Sequence, residues 1–472
     1  MDFMLCFTDK EITPWAGMGL MKQMLDRMGF AATLASPEVD LPQPGSNRAY
    51  PPAQLMTQFM LSVWCGAKRF EHAEVTRFDG VLGKLFGYER MANFKTIGRL
   101  FDRFDQAQNT RTFGALYQWM FAQVGPQVVT LDMDSTVLTR YGQQQGSAKG
   151  YNPVRRGRSS HHPLLAFVAD TRMIANCWLR PGNSHTANNC LSFLEQTREH
   201  LKGKSIGLFR ADSGFFERII LQHLEKTRAE TGKATNYIIA ARLTQPIQRA
   251  LAAQQGWWAI GDKEGKAEGI EICDIQYQAA GRDAPRRLIA VRQHIARREN
   301  AKGKTLSLFA DMPEVKCWRY AAMCTNLDLP AEQIWRLYRG RADCENRIKE
   351  LKYDFGFDSF CRKDFWGTEA ALQTVMLAYN FMSIFRQALL KKVNTLPQAA
   401  AAAAKGKDPD QTLQTLRYKL FATPGYITTQ ARKPMLKMAL AMQRREWMSG
   451  LWDKSKSFDL PVCFTQTFRP DG

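Results

Sequence analysis

Between Gln127 and Leu243 the chain alternates strand-like and helix-like runs, and this alternation restricts the fold more than any other feature of its 472 residues. QVVTLDMDSTVL (127–138), PLLAFVAD (163–170) and MIANCWLRP (173–181) are short β-branched or apolar runs bounded by polar turns, the pattern of neighbouring strands. TANNCLSFLEQTREHL (186–201) has helical spacing, and SIGLFRADS (205–213) reads as a strand. FFERIILQHLEKTR (215–228) is helical again, and NYIIAARL (236–243) is another strand. Three strands, helix, strand, helix, strand predict an α/β core with some parallel strands, because an intervening helix returns the chain to begin the next strand in the same direction.

The flanking segments differ in period. Residues 1–125 form a helical N-terminal region: LMTQFMLSVWCGA and TFGALYQWMFAQV carry helical spacing, Thr96 is a candidate N-cap for IGRLFDRF, and Ser36 to Gly45 reads as a linker. The core's first part spans 126–243. GIEICDIQYQAA, RRLIAVRQHI and YAAMCTN mark 244–325 as a β-rich insertion, with the core resuming near Tyr320. Residues 326–392 return to helix, first from Ala331 through Lys352 and then along TEAALQTVMLAYNFMSIFRQALL (368–390). The tail, 393–472, opens on a six-Ala run (399–404) and reads as helical around Pro434–Gly450.

Lys plus Arg number 65 against 45 Asp plus Glu, a formal +20, which favours a polyanionic partner such as nucleic acid. Lys68, Arg69, Arg77, Lys84, Arg90 and Lys95 decorate the N-terminal helices. A loop between the first two strands carries Lys149, Arg155, Arg156 and Arg158, interleaved with Tyr151 and His161-His162. The adjacent His point apart and lack an acid at ligand spacing, so they do not read as a metal pair. The ten Cys have no C-x₂-C spacing, and no apolar run approaches a membrane span. Both observations, with the absence of a signal-peptide pattern, give the expectation of a soluble protein of the cytoplasm. Gly203-Lys204-Ser205 and Gly303-Lys304-Thr305 lack the earlier glycine of a phosphate-binding loop, where Arg198 and Arg298 stand instead. Trp257-Trp258 read as packing residues.

Carboxylates supply the chemistry. Asp134 lies inside an apolar strand, with Asp132 two residues earlier on the same face; Asp212 closes the strand IGLFRADS; Glu345 sits in WRLYRGRADCENRIKELK. A charge within such a core is costly unless it is paired or holds a cation, and two strand-end acids plus a helical Glu suit Mg²⁺. On one continuous helix Tyr338, Arg341, Glu345 and Lys352 would share an arc of about 60°. That grouping suits an acid that holds metal beside neighbours that grip phosphate.

Tyr338-x₂-Arg341-x₃-Glu345-x₆-Lys352 resembles the YREK signature of bacterial insertion-sequence transposases of the DDE class. LDMDST is similar to their first catalytic strand and RADSGF to their second Asp motif. The texture of YGQQQGSAKGYNP, RSSHHPLLAF and LRPGNSH resembles the thirteen-eighty insertion-sequence family. The resemblance covers about residues 125–390. It implies an RNase H-like core interrupted by the β insertion, and a triad of Asp134, Asp212 and Glu345 that holds two Mg²⁺ ions, with Mn²⁺ able to substitute. Asp132 is the rival for the first position; the family pattern of acid, small or hydroxyl residue and Thr favours Asp134, followed by Ser135-Thr136. Tyr338, Arg341 and Lys352 would contact phosphate near the transposon end, and Trp318 would stack a flipped base. The implied activity is cut-and-paste transposition on double-stranded DNA at terminal inverted repeats, by a homodimer in the bacterial nucleoid. A nuclease or resolvase without strand transfer, and an inactive DNA-binding derivative, are the alternatives.

Overall fold

The computed structural model describes residues 3–468 apart from 227–231, 233, 261–268, 279–283, 295–317, 391–410 and 465. The six-Ala run therefore lies outside the described residues. In chain order the strands are β1 (Val128–Ser135), β2 (Leu138–Thr139), β3 (Ala148–Lys149), β4 (Ser159–His161), β5 (Leu164–Val168), β6 (Met173–Trp178) and β7 (Ser205–Ala211). They continue with β8 (Asn236–Ala240), β9 (Trp258–Ala259), β10 (Ile270–Tyr277), β11 (Arg286–His294), β12 (Trp318–Thr325), β13 (Gly425–Gln430) and β14 (Lys433–Met438).

The near-continuous apolar runs of the core predict strands covered on both faces, and every residue of β5 is buried. One mixed sheet has the order β6-β5-β1-β7-β8-β12-β11-β10-β9. β1, β7 and β8 run parallel, while β5 runs antiparallel to both of its neighbours. The insertion does not stand apart from this sheet. β12 pairs antiparallel with β8, and β11, β10 and β9 extend the same surface outward. A second sheet, β2-β4-β3, forms from the basic excursion between β1 and β5.

Helices α1 (Met18–Arg27), α2 (Phe30–Leu34), α3 (Pro52–Trp64), α4 (Ala73–Arg77), α5 (Gly80–Leu85), α6 (Phe94–Phe101) and α7 (Gln106–Ala122) precede the sheet. Asn93, rather than Thr96, caps α6 by accepting the Thr96 N–H at 2.8 Å, because the helix begins three residues earlier than the apolar spacing suggests. The stretch from Ser36 to Gly45 is no free linker, since Val39 and Leu41 are buried in the core.

Among the later helices are α8 (Cys190–His200), α9 (Arg218–Glu225), α10 (Gln245–Ala252), α11 (Ala331–Arg339), α12 (Ala342–Phe355) and α13 (Phe365–Phe385). α13 is buried around nearly its whole circumference, as its almost uninterrupted apolar sequence requires. Its few polar residues serve the edge of the sheet. Glu369 accepts the Leu179 N–H at 3.0 Å, and Asn380 bonds both the N–H and C=O of Ile174 at 2.7 and 2.8 Å. Gln373 donates to the Cys177 carbonyl. Residues 369, 373 and 380 recur at helical spacing, so one stripe satisfies the backbone that β6 would otherwise leave unpaired.

The C-terminal region is not wholly helical. Tyr426, Ile427, Thr428 and Thr429 favour extended backbone, and β13 and β14 form a hairpin whose turn residues, Ala431 and Arg432, take φ of 50° and 63°. Pro434 lies inside this hairpin, and the helix starts only at Met442.

Candidate active site

β1 and β7 run parallel with Met133 opposite Ala211. The next residue on each chain segment is an acid, so Asp134, still within β1, and Asp212, just past the end of β7, follow paired residues at the C-terminal edge of two strands about 4.8 Å apart. Asp134 is buried, with 8% of its surface exposed. Its Oδ1 accepts the Ser135 N–H at 2.8 Å, and its Oδ2 lies 3.0 Å from Arg341 Nη2. Burial pushes its carboxyl up to about 6, against the pull of Arg341 and with added crowding from Asp212 and Glu345. Asp212 Oδ1 accepts the Gly214 N–H at 2.9 Å in the turn that follows β7. A Cβ at Gly214 would meet Thr186 Cγ2 at 2.9 Å, so only glycine lets this turn close against the 181–189 loop.

Glu345 lies in the first turn of α12, its side chain 61% exposed, with Oε1 3.9 Å from Arg341 Nη1. One guanidinium therefore spans Asp134 and Glu345, which limits their nearest oxygens to about 9 Å once the width of the planar fork is included.

The single helical face expected from Tyr338 to Lys352 is interrupted, and the cause is Arg210. Its Nε and Nη2 hold Asp132 at 2.6 and 2.8 Å, and its Nη1 donates to the Leu337 carbonyl. That oxygen would otherwise serve the Arg341 N–H, which turns to the Tyr338 carbonyl at 2.9 Å instead. A Cβ at Gly340 would sit 2.9 Å from Arg210 Nη1. Helix α11 ends here, and Arg341 becomes the residue that leads into α12. Asp132 thus has both oxygens committed to a buried partner, whereas Asp134 faces the other acids.

Tyr338 still borders the site from α11. Burial raises its phenol above the usual range, and the neighbouring carboxylates of Asp212, Asp134 and Asp132 add to the rise. Lys352, two turns beyond Glu345, donates to the Val137 carbonyl at 3.1 Å; burial lowers its ammonium, while Asp358 and Asp134 counter this. All four residues of the motif therefore lie around the end of β1, although they do not share one helix.

Arg155, Arg156 and Arg158 are exposed on the excursion beyond β1, where Tyr151 is 75% and Tyr141 73% exposed. The Arg158 guanidinium lies 5.9 Å from the Tyr141 ring centre. His161 and His162 are hydrogen-bonded inward: Arg140 Nε donates to His161 Nδ1 at 2.9 Å, and His162 joins Ser135. Trp318 opens β12. β12 pairs with β8 only over its last three residues, so its start projects past the strand ends. There Arg292 lies 4.3 Å from the Trp318 ring and 4.5 Å from that of Trp257.

Sequence reasoning missed Arg180, and weighed His162 only as part of the basic loop and of a rejected metal pair. Arg180 Nη1 donates to the carbonyls of His185, Thr186 and Asn188 at 3.2, 3.1 and 2.9 Å, and its Nε to that of His162 at 3.0 Å. It pins the 181–189 loop beside Asp212. No local spacing announces this, because every acceptor is a backbone oxygen.

Among the described residues no three or more His, Cys, Asp or Glu side chains stand close enough together to hold a metal ion as they are. The donors nonetheless suit a hard divalent cation: all three acids offer oxygen, and Asp212 and Glu345 both act on the buried Asp134 carboxyl against the pull of Arg341. Arg341 Nε, buried without a partner, marks a polar group whose satisfaction requires a further acceptor.

No sequence match is found among curated proteins. Among solved structures, the piggyBac transposase in a synaptic complex with hairpin DNA is similar, at 10% identity and a TM-score of 0.44, over 85% of this chain and 78% of that one. The family model for the transposase DDE domain, group 1, matches residues 3–454, nearly the whole length, and the chain therefore belongs to the DDE transposase family.

Proposed function

We propose that the chain is a cut-and-paste transposase that binds the terminal inverted repeats of its own insertion sequence, cleaves there and joins the freed ends to target DNA. The observation that carries this reading is the parallel register of β1 and β7, which sets Asp134 beside Asp212, with Arg341 spanning to Glu345. The order β6-β5-β1-β7-β8, with β5 alone reversed among its neighbours, supports an RNase H-like core. The YREK assignment to the thirteen-eighty insertion-sequence family rests on the motif residues.

Asp134, Asp212 and Glu345 would hold two Mg²⁺ ions. Bound there, such ions activate an oxygen nucleophile and stabilise the departing 3′-oxygen. The chain's own residues bind and orient the DNA. Arg341, whose two Nη atoms face Asp134 and Glu345, would bring its positive charge to a phosphate at the acids. Lys352 adds a point charge near the end of β1, and the Tyr338 phenol a neutral donor, kept protonated by its buried, anionic surroundings. Arg155, Arg156 and Arg158 extend this cationic surface along the duplex. Trp318, whose ring centre lies 4.3 Å from the Arg292 guanidinium, offers its ring to an unstacked base. Two transposon ends must meet, which calls for a homodimer, and the DNA places the enzyme at the nucleoid.

The test combines protein, Mg²⁺, a precleaved terminal-repeat oligonucleotide and a supercoiled target plasmid. Joined product is expected from the parent and none from Asp212→Asn. Nicking without joining would make the chain a nuclease, and DNA binding unaffected by Asp212→Asn with no product from either protein would make it an inactive derivative.

A further inference from the structure

The hydroxyl of Ser135, the residue after Asp134, has the direction of its proton fixed by its neighbours. His162 Nδ1 lies 2.9 Å from the Ser184 carbonyl, an oxygen that can only accept, so Nδ1 carries the ring proton. Burial holds the imidazole below its ordinary range, which keeps the ring neutral and leaves Nε2 a bare lone pair. Ser135 Oγ, 3.0 Å from Nε2, must therefore spend its one proton on that nitrogen. Thr186 Oγ1, at 3.4 Å, can then only donate to Ser135. One lone pair of a half-buried oxygen remains.

The surroundings hold this arrangement rigidly. The Ser135 N–H bonds Asp134 Oδ1 at 2.8 Å, Arg180 grips the His162 carbonyl at 3.0 Å, and Thr186 is pressed against Gly214, whose N–H holds Asp212. A hydroxyl with only a lone pair to offer cannot bond a phosphate diester oxygen, which has no proton. It can accept from an O–H. The two nucleophiles of transposition, water and a 3′-hydroxyl, both present one.

We infer that Ser135, oriented by His162, is a positioning residue that accepts a hydrogen bond from the attacking hydroxyl and aims its oxygen at phosphorus beside Asp134. Ser135 takes no proton; it fixes direction, and His162 fixes Ser135. The inference rests on the reading of Asp134, Asp212 and Glu345 as the acids of the reaction.

The experiment measures single-turnover joining of a precleaved end across a range of DNA concentrations, with thermal melts, for Ser135→Ala, His162→Leu, the double variant, His162→Gln and Asp212→Asn. Ser135→Ala and His162→Leu are each expected to slow the chemical step about 10- to 100-fold through lost orientation, with the apparent KM for DNA and the melting midpoint unchanged. The double variant should be no slower than the worse single, because the two side chains act as one unit. His162→Gln should recover a substantial part of the rate, since its amide oxygen can accept from Ser135. Losses that multiply in the double variant, fall on KM, or track melting overturn the inference. If Asp212→Asn is inactive while Ser135→Ala joins at the parental rate, only this inference fails. If Asp212→Asn still joins DNA, the reading of the acids fails first and takes it along.

Discussion

Neutralising Asp134 and neutralising Asp132 have opposite expected effects on the stability of the chain, although both residues stand on one face of one strand. Asp134 has an ordinary carboxyl value of 3.8 when unfolded and about 6 when folded, chiefly through burial. Below about pH 4 both states hold the proton and the group is neutral in its effect. From about 4 to 6 the unfolded chain has lost a proton that the folded chain retains, so stability falls as pH rises through that window. Above it the deficit is complete, at about 3 kcal/mol. Asp134→Asn should therefore raise the unfolding free energy by about that amount at pH 7.5, with the gain vanishing toward pH 4.

Burial raises the Asp132 carboxyl as well, but removing its charge strands Arg210, which is 1% exposed and donates to both of its oxygens. Breaking one side of such a buried pair costs about 3–5 kcal/mol. Arg341 escapes that fate when Asp134 is neutralised, because Glu345 lies 3.9 Å from its other nitrogen. Urea unfolding of the full chain in EDTA, at pH 7.5 and pH 4.5, compares the two variants with the parent. If Asp134→Asn unfolds at lower urea than the parent at pH 7.5, the reasoning is refuted, and Asp134 is a holder of the fold as Asp132 is.

The exposed arginines beyond β1 make a prediction about salt. Arg155→Ala and Arg156→Ala should each weaken binding to any duplex and reduce the magnitude of the slope of log affinity against log salt by about 1, read by fluorescence anisotropy; an unchanged slope removes them from the DNA surface. Glu369, buried beneath Leu179, has its carboxyl raised to about 8 by burial. Against an ordinary value of 4.5 this makes the parent lose stability as pH rises from about 4.5 to 8, and Glu369→Gln should flatten that decline in unfolding measured at pH 5, 7 and 9. Parallel pH curves for parent and variant would show that Glu369 ionises freely.

The strands of the core were legible because short β-branched runs between polar turns have few other uses, and the acids because a charge in such a run demands a reason. Hairpin β13–β14 was not legible, since a Pro and two Lys in KPMLKM obscure its two-residue period. The pairing of His162 was not visible because its partners, Ser135 and Ser184, stand 27 and 22 residues away and one of them offers only backbone. The break at Gly340 escaped notice for a related reason: the helix is interrupted by Arg210, 127 residues before the carbonyl it takes.

That break also explains why two aspartates sit in LDMD. Strand geometry gives Asp132 and Asp134 the same face, and strand spacing alone does not distinguish them. The distinction comes from α11 and α12. Asp132 orients Arg210, Arg210 removes the Leu337 carbonyl from the helix, and the displaced N–H belongs to Arg341, the residue whose guanidinium then reaches Asp134 and Glu345. The first aspartate thus fixes the backbone that presents a cation to the second, and two acids on one strand face come to have different partners.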